Sequence, residues 1–150
     1  MIVDPSVLVA IITGESDAAV FARALSRAST IRLSAASFVE LAVVIDGRRD
    51  PVLSGALDAY LTAAEIEVVP LTVQQARIAR EAYQRFGRGS GHPARLNMGD
   101  CFSYALAHDL GEPLLFKGRD FALTDIELIV EPMKRNRLSE VLAAYAIDAG

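Results

Sequence analysis

Short apolar runs, set apart by longer stretches of helix-forming sequence, restrict what this chain can fold into. The runs are Met1-Ile2-Val3, Ile31-Arg32-Leu33-Ser34, the alternating residues 65–70 and Leu114-Leu115-Phe116, with a weaker one at 126–130. Runs of that length suit strands. Between them the sequence predicts helices over 7–12, 15–28, 35–45 and 52–64, a long helix capped by Thr72 and ending near Phe86, and another opening near Asp100. Strands alternating with helices call for an α/β fold with a mostly parallel central sheet flanked by helices. Two junctions are explicit. Asp4-Pro5 pairs a capping acid with a proline suited to the first helical position, and Gly47 and Pro51 close one helix and open the next.

At 150 residues the chain fits one domain with a sizeable core, expected over 1–132. Residues 133–150 read as a helical tail whose stripe of Leu138, Val141, Leu142 and Tyr145 would dock on the domain or on a partner. A hydrophobic fraction of 52% excludes a disordered chain. No apolar run approaches the ~20 residues that span a bilayer, and Met1-Ile2-Val3-Asp4-Pro5 lacks the marks of a secretory leader, so a cytoplasmic protein is expected. A single cysteine, Cys101, excludes an internal disulfide and a cysteine-built metal site. The net charge of −4 argues against a broadly basic surface. Local patches differ: Arg77, Arg80, Arg85, Arg88 and Arg95 face only Glu81 in their stretch, and Lys134, Arg135 and Arg137 form a smaller cluster.

Four acids stand where acids need an explanation. Asp100 falls in the first turn of a helix, where exposed backbone N–H groups favour a carboxylate, and that alone could account for it. Asp4 could likewise be only a cap, yet it leaves the carboxyl end of a strand, the edge at which open α/β sheets bind ligands. Asp120 follows the strand at 114–116 in the same way, or merely stabilises a turn. Glu40 is the single charge in its helix, with Ser37, Ala36, Val43 and Val44 three and four positions away. Buried there, it would cost several kcal/mol unless paired or bound to a cation. Gathered at one sheet edge, such carboxylates cannot all stay ionised without compensating charge. Oxygen ligands without cysteine or paired histidine point to Mg²⁺, with Mn²⁺ as the other choice. An ion so held activates water and offsets charge on a phosphodiester. The neighbouring arginines, Arg85 and Arg88 first, would contact a nucleic-acid backbone. Gly87-Arg88-Gly89-Ser90-Gly91-His92-Pro93 reads as a flexible loop and not a phosphate loop, since it follows a helix and lacks the Lys-Ser/Thr ending. His92 and His108 read as surface residues.

Four blocks taken together resemble a known family. They are Met1-Ile2-Val3-Asp4-Pro5-Ser6-Val7-Leu8-Val9-Ala10, Ala36-Ser37-Phe38-Val39-Glu40-Leu41-Ala42, Leu96-Asn97-Met98-Gly99-Asp100-Cys101-Phe102-Ser103-Tyr104-Ala105-Leu106-Ala107 and Leu114-Leu115-Phe116-Lys117-Gly118-Arg119-Asp120-Phe121. In order and spacing they look like a PIN domain, and specifically a VapC-type ribonuclease toxin of a bacterial toxin–antitoxin pair. The resemblance implies Mg²⁺-dependent RNA cleavage, a cognate VapB-type antitoxin and a homodimer. By position it implies that Asp4 and Asp100 are metal ligands, that Glu40 is the third acid and that Asp120 is the nearest match to a fourth. Ser6 is retained from the family pattern, and Arg119 would either bring positive charge to the RNA or weaken the metal site. Two positions depart from it: Pro5 stands where threonine is usual, and Arg119 where an acid or asparagine is common.

Two other readings fit parts of the pattern. An aspartyl phosphotransferase also begins at a strand-end aspartate, but its second aspartate would stand where Ser6 is. A catalytically silent domain that binds RNA or an antitoxin is the reading that Pro5 and Arg119 favour.

Overall fold

A computed structural model describes residues 1–129. Four strands, β1 (Ile2–Val3), β2 (Ile31–Ser34), β3 (Ile66–Val69) and β4 (Leu114–Leu115), form one parallel sheet in the order β3-β2-β1-β4. Six helices connect them: α1 (Pro5–Ile12), α2 (Ala18–Ser26), α3 (Ala35–Asp46), α4 (Pro51–Ala63), α5 (Val73–Phe86) and α6 (Met98–Leu110). The expected α/β architecture is therefore present, with every strand pair parallel.

Strand pleating divides the core in two. Ile2 and its β4 partner Leu114 point into a cluster with Ile78, Phe86, Tyr104 and Leu106 from α5 and α6. Val3 and its partner Leu115 point the other way, against Leu8, Phe21, Leu33, Leu41 and Leu57. Side chains alternate across a strand, so two residues suffice to hold both layers.

Helix starts follow the sequence closely. Asp50 accepts the Val52 N–H at 2.9 Å ahead of Pro51, and Thr72 makes a reciprocal capping box with Gln75. The second helix is shorter than expected, beginning at Ala18 after Gly14 adopts φ +68°. Residues 65–70 contribute only Ile66–Val69, an edge strand whose Glu67 and Val68 face out. Within the described part of the run at 126–130, pairing reduces to one bridge between Leu128 and Leu114. The tail at 133–150 lies outside the described residues, as does the cluster of Lys134, Arg135 and Arg137.

Two expectations change. The glycine-rich loop is not free: Arg88 N–H donates to Leu96 O at 3.0 Å, Leu96 N–H donates to Phe86 O at 2.9 Å, and the His92 ring sits edge-on to Phe86 at 4.9 Å. His92 is thus half-buried, while His108 is exposed and stacked on Tyr104. Nor is α3 enclosed. It buries Ser37, Leu41 and Ile45, but Val39 is 59% exposed and Val43 67%. Glu40 lies on that open side, so only part of the expected cost of burying its charge arises.

Candidate active site

The strand-end and helix-start acids converge. Asp4, Glu40, Asp100 and Asp120 line one cavity of about 330 Å³, together with Ser6, Asn97 and Lys117. Asp4 leaves β1 directly into α1, Glu40 stands on α3, Asp100 on the first turn of α6, and Asp120 opens a 3-10 turn (Asp120–Leu123) beyond β4.

Asp4 is the fixed member of the set. It is 6% exposed; its Oδ1 accepts the Ser6 N–H at 2.9 Å and the Ser6 hydroxyl at 2.6 Å, and its Oδ2 accepts the Ser103 hydroxyl at 2.7 Å. Burial pushes its carboxyl above the usual carboxylate range, the three hydrogen bonds pull it back, and the Asp120 charge adds to the rise. Ser6 is held in turn, accepting the Lys117 N–H at 3.0 Å. Lys117 Nζ is itself paired with Glu15 and, at 3.0 Å, with Asp17.

Asp100 has two roles. Its Oδ2 accepts the Asn97 N–H at 2.7 Å while Asn97 accepts the Asp100 N–H at 2.9 Å, a reciprocal cap that fulfils the helix-start explanation. Yet it also faces the cavity. Burial pushes its carboxyl up to about 6, eased by the Asn97 N–H and reinforced by the charges of Asp4, Asp120 and Glu40. The Glu40 carboxyl is raised as well, by loss of solvent and by Asp4. No arginine pairs with Glu40 among the described residues. Its carboxylate instead rests against Gly99, where an added Cβ would stand 2.1 Å from Oε2. Cys101, beside Asp100, is not a nucleophile: burial and the neighbouring charge push its thiol up to about 12.

The donor set fits a hard divalent cation in kind, being all oxygen and mutually repelling. No three acidic, histidine or cysteine side chains form a ready-made metal cluster among the described residues. Mg²⁺ tolerates that arrangement, since it keeps several waters and takes only one or two carboxylates. Asp4 and Asp100, the two acids expected to be ligands, both line the cavity.

The cationic candidates separate. Arg88 lines a different groove. Arg85 pairs with Asp125 at 3.0 Å and lies 4.5 Å over the Phe86 ring. Arg119 is exposed and does not line the acid cavity. Ser103, Lys117 and Gly99 join the site without having been singled out in the sequence. Ser103 was findable, because it falls three residues after Asp100 and so on the same helix face. Replacing Ser103 by Ala should cost about 1.5–3 kcal/mol, the range for a hydrogen bond to a charged group. It should also move the acid limb of any pH–rate profile upward by removing a donor that favours ionised Asp4. An unchanged limb would show that Ser103 does not tune Asp4.

Comparison with known proteins agrees with this geometry. The PIN domain family profile matches residues 1–127. The VapC ribonuclease Mb0625 of Mycobacterium bovis is 58% identical over 127 residues, which cover 85% of this chain and 96% of that protein. Ribonuclease VapC42 of Mycobacterium tuberculosis is 52% identical over 126 residues, covering 84% and 96%. Among solved structures, Mycobacterium tuberculosis VapC20, described as a Sarcin-Ricin loop cleaving toxin, superposes with a TM-score of 0.70 at 19% identity over 87% of this chain and 98% of that one. VapBC2 from Rickettsia felis, bound to a promoter DNA fragment, gives 0.67 at 14% identity over 85% and 96%. Sheet order, carboxylate cavity and sequence identity converge, and the chain belongs to the PIN-domain family, beside the VapC ribonucleases.

Proposed function

We propose that this protein is an endoribonuclease toxin that hydrolyses RNA phosphodiester bonds with a divalent cation, Mg²⁺ or Mn²⁺, and that a cognate VapB-type antitoxin restrains it. A homodimer in the cytoplasm is part of the same reading. No helix among the described residues is long and apolar enough to cross a membrane. One observation carries the reading: four carboxylates from positions 4, 40, 100 and 120 share a single cavity.

Asp4 and Asp100 would hold the cation, which supplies positive charge against the phosphate and acidifies water when bound. Asp4 presents a fixed carboxylate because Ser6 and Ser103 leave it little freedom. Glu40, solvent-facing and unpaired among the described residues, would take the proton from the attacking water, and a carboxyl raised above its usual range supports that role. Asp120 adds a fourth carboxylate to the cavity wall.

The test is cleavage of a single-stranded RNA by the purified protein. Mg²⁺ should support cleavage and EDTA should stop it. Glu40→Gln should slow it by about a hundredfold or more, as expected for loss of a general base. RNA binding without cleavage in Mg²⁺ or Mn²⁺ would instead establish the silent-domain reading.

A further inference from the structure

A second groove runs between α5 and α6 and adjoins the acid cavity, since Asn97 lines both. It encloses about 710 Å³, within the roughly 300–1,000 Å³ typical of small-ligand sites. Its walls carry Tyr83, Met98 and Phe102 with Arg80 and Arg88, and no acidic side chain. Tyr83 is 44% exposed and Met98 71%. The Tyr83 ring lies against the Gly87 backbone, where an added Cβ would come within 2.6 Å of Cδ2. Arg80 and Arg88 have no ion pair among the described residues, whereas nearby Arg85 is paired with Asp125.

An aromatic ring seated on glycine, an apolar floor and two uncommitted guanidiniums are the parts from which single-stranded nucleic-acid sites are built. We propose that this groove takes an unpaired nucleobase of the RNA beside the phosphate cleaved in the acid cavity. Tyr83 serves as the stacking platform, and Arg80 and Arg88 contact flanking phosphates. The proposal rests on the ribonuclease reading and narrows its substrate to RNA with an unstacked residue at the cleavage point.

The full chain is titrated in EDTA with a short single-stranded RNA of mixed sequence and with an abasic strand of equal length. Tyr83→Leu should weaken the first by about tenfold and leave the second unchanged, because stacking needs a base. Arg80→Ala and Arg88→Ala should weaken both strands alike, each lowering the salt slope by roughly 0.7. Equal affinity of wild type and Tyr83→Leu for the mixed strand would overturn the proposal. So would sedimentation showing that Tyr83→Leu dissociates a dimer while base preference persists, which makes this face an interface between copies. Wild-type cleavage in Mg²⁺, run alongside, separates the two failures. Without it the ribonuclease reading falls and the groove with it; with it, a base-indifferent Tyr83→Leu removes the groove alone.

Discussion

Asp100→Asn should abolish RNA cleavage and, in the same molecule, should make the metal-free protein more stable at pH 8. The first effect follows if Asp100 is one of two ligands to the cation. The second follows from its surroundings. Its carboxyl sits at about 6 in the fold because burial and three neighbouring charges resist ionisation. A free chain ionises near the ordinary value of about 3.9. Between those values the folded protein binds more protons than the unfolded one, so stability falls as pH rises through the window and levels off above about 6. Asparagine removes that penalty while keeping an oxygen for the Asn97 N–H. Each kcal/mol relieved moves the midpoint of a chain this size by roughly 3–5 °C. Thermal unfolding in EDTA at pH 5 and pH 8 reads it: wild type should gain toward pH 5, and the variant should lose part of that dependence, since Asp4 and Glu40 share its sign. Mg²⁺ should then raise the wild-type midpoint and not the variant's. A variant that cleaves at the wild-type rate, or melts lower at pH 8, contradicts the assignment of Asp100.

Gly99→Ala should cripple the enzyme without unfolding it. The added methyl would stand 2.1 Å from Glu40 Oε2 and 2.5 Å from its Cδ and Oε1. What must give way is the tip of a flexible, solvent-facing side chain, so displacement costs little. Alanine also suits a helix better than glycine, by roughly 0.5–1 kcal/mol in a helix interior. Thermal stability should stay level or rise slightly, while cleavage falls to about the level of Glu40→Gln. The decisive measurement is the double variant: if Gly99 acts only by making room for the Glu40 carboxylate, Gly99→Ala adds nothing to Glu40→Gln. Additive losses would mean that Gly99 matters for another reason.

How far the sequence reaches depends on which force decides each feature. Asp4-Pro5 and Asn97 set helix starts through local hydrogen bonds, and local chemistry reads directly from neighbouring residues. Alternating strands and helices sufficed for the parallel sheet, and the sheet then brought Asp4 and Asp120 to one edge. Helix α3 is different. With apolar residues at nearly every position it carries no phase to say which side packs, so Val39, Val43 and Glu40 turned outward where enclosure was expected. The loop at 87–93 misled through composition, because its glycines suggest freedom whereas Leu96, outside the loop, ties it down. Arg85 was invisible for the same reason: its partner Asp125 lies 40 residues away.

The pairing of Ile2 with Leu114 has a bearing on when the cavity can form. β1 is an inner strand of the sheet, and its neighbour β4 comes from the far end of the described fold, pairing Ile2 with Leu114 and Val3 with Leu115. Contacts so distant in sequence form late. A ribosome-bound fragment that ends before α6 contains Asp4 and Glu40 but neither Asp100 nor the edge that completes the cavity. A fragment that stops short of α6 therefore lacks the full carboxylate set, and the cavity forms only once residues from both ends of the described fold are present.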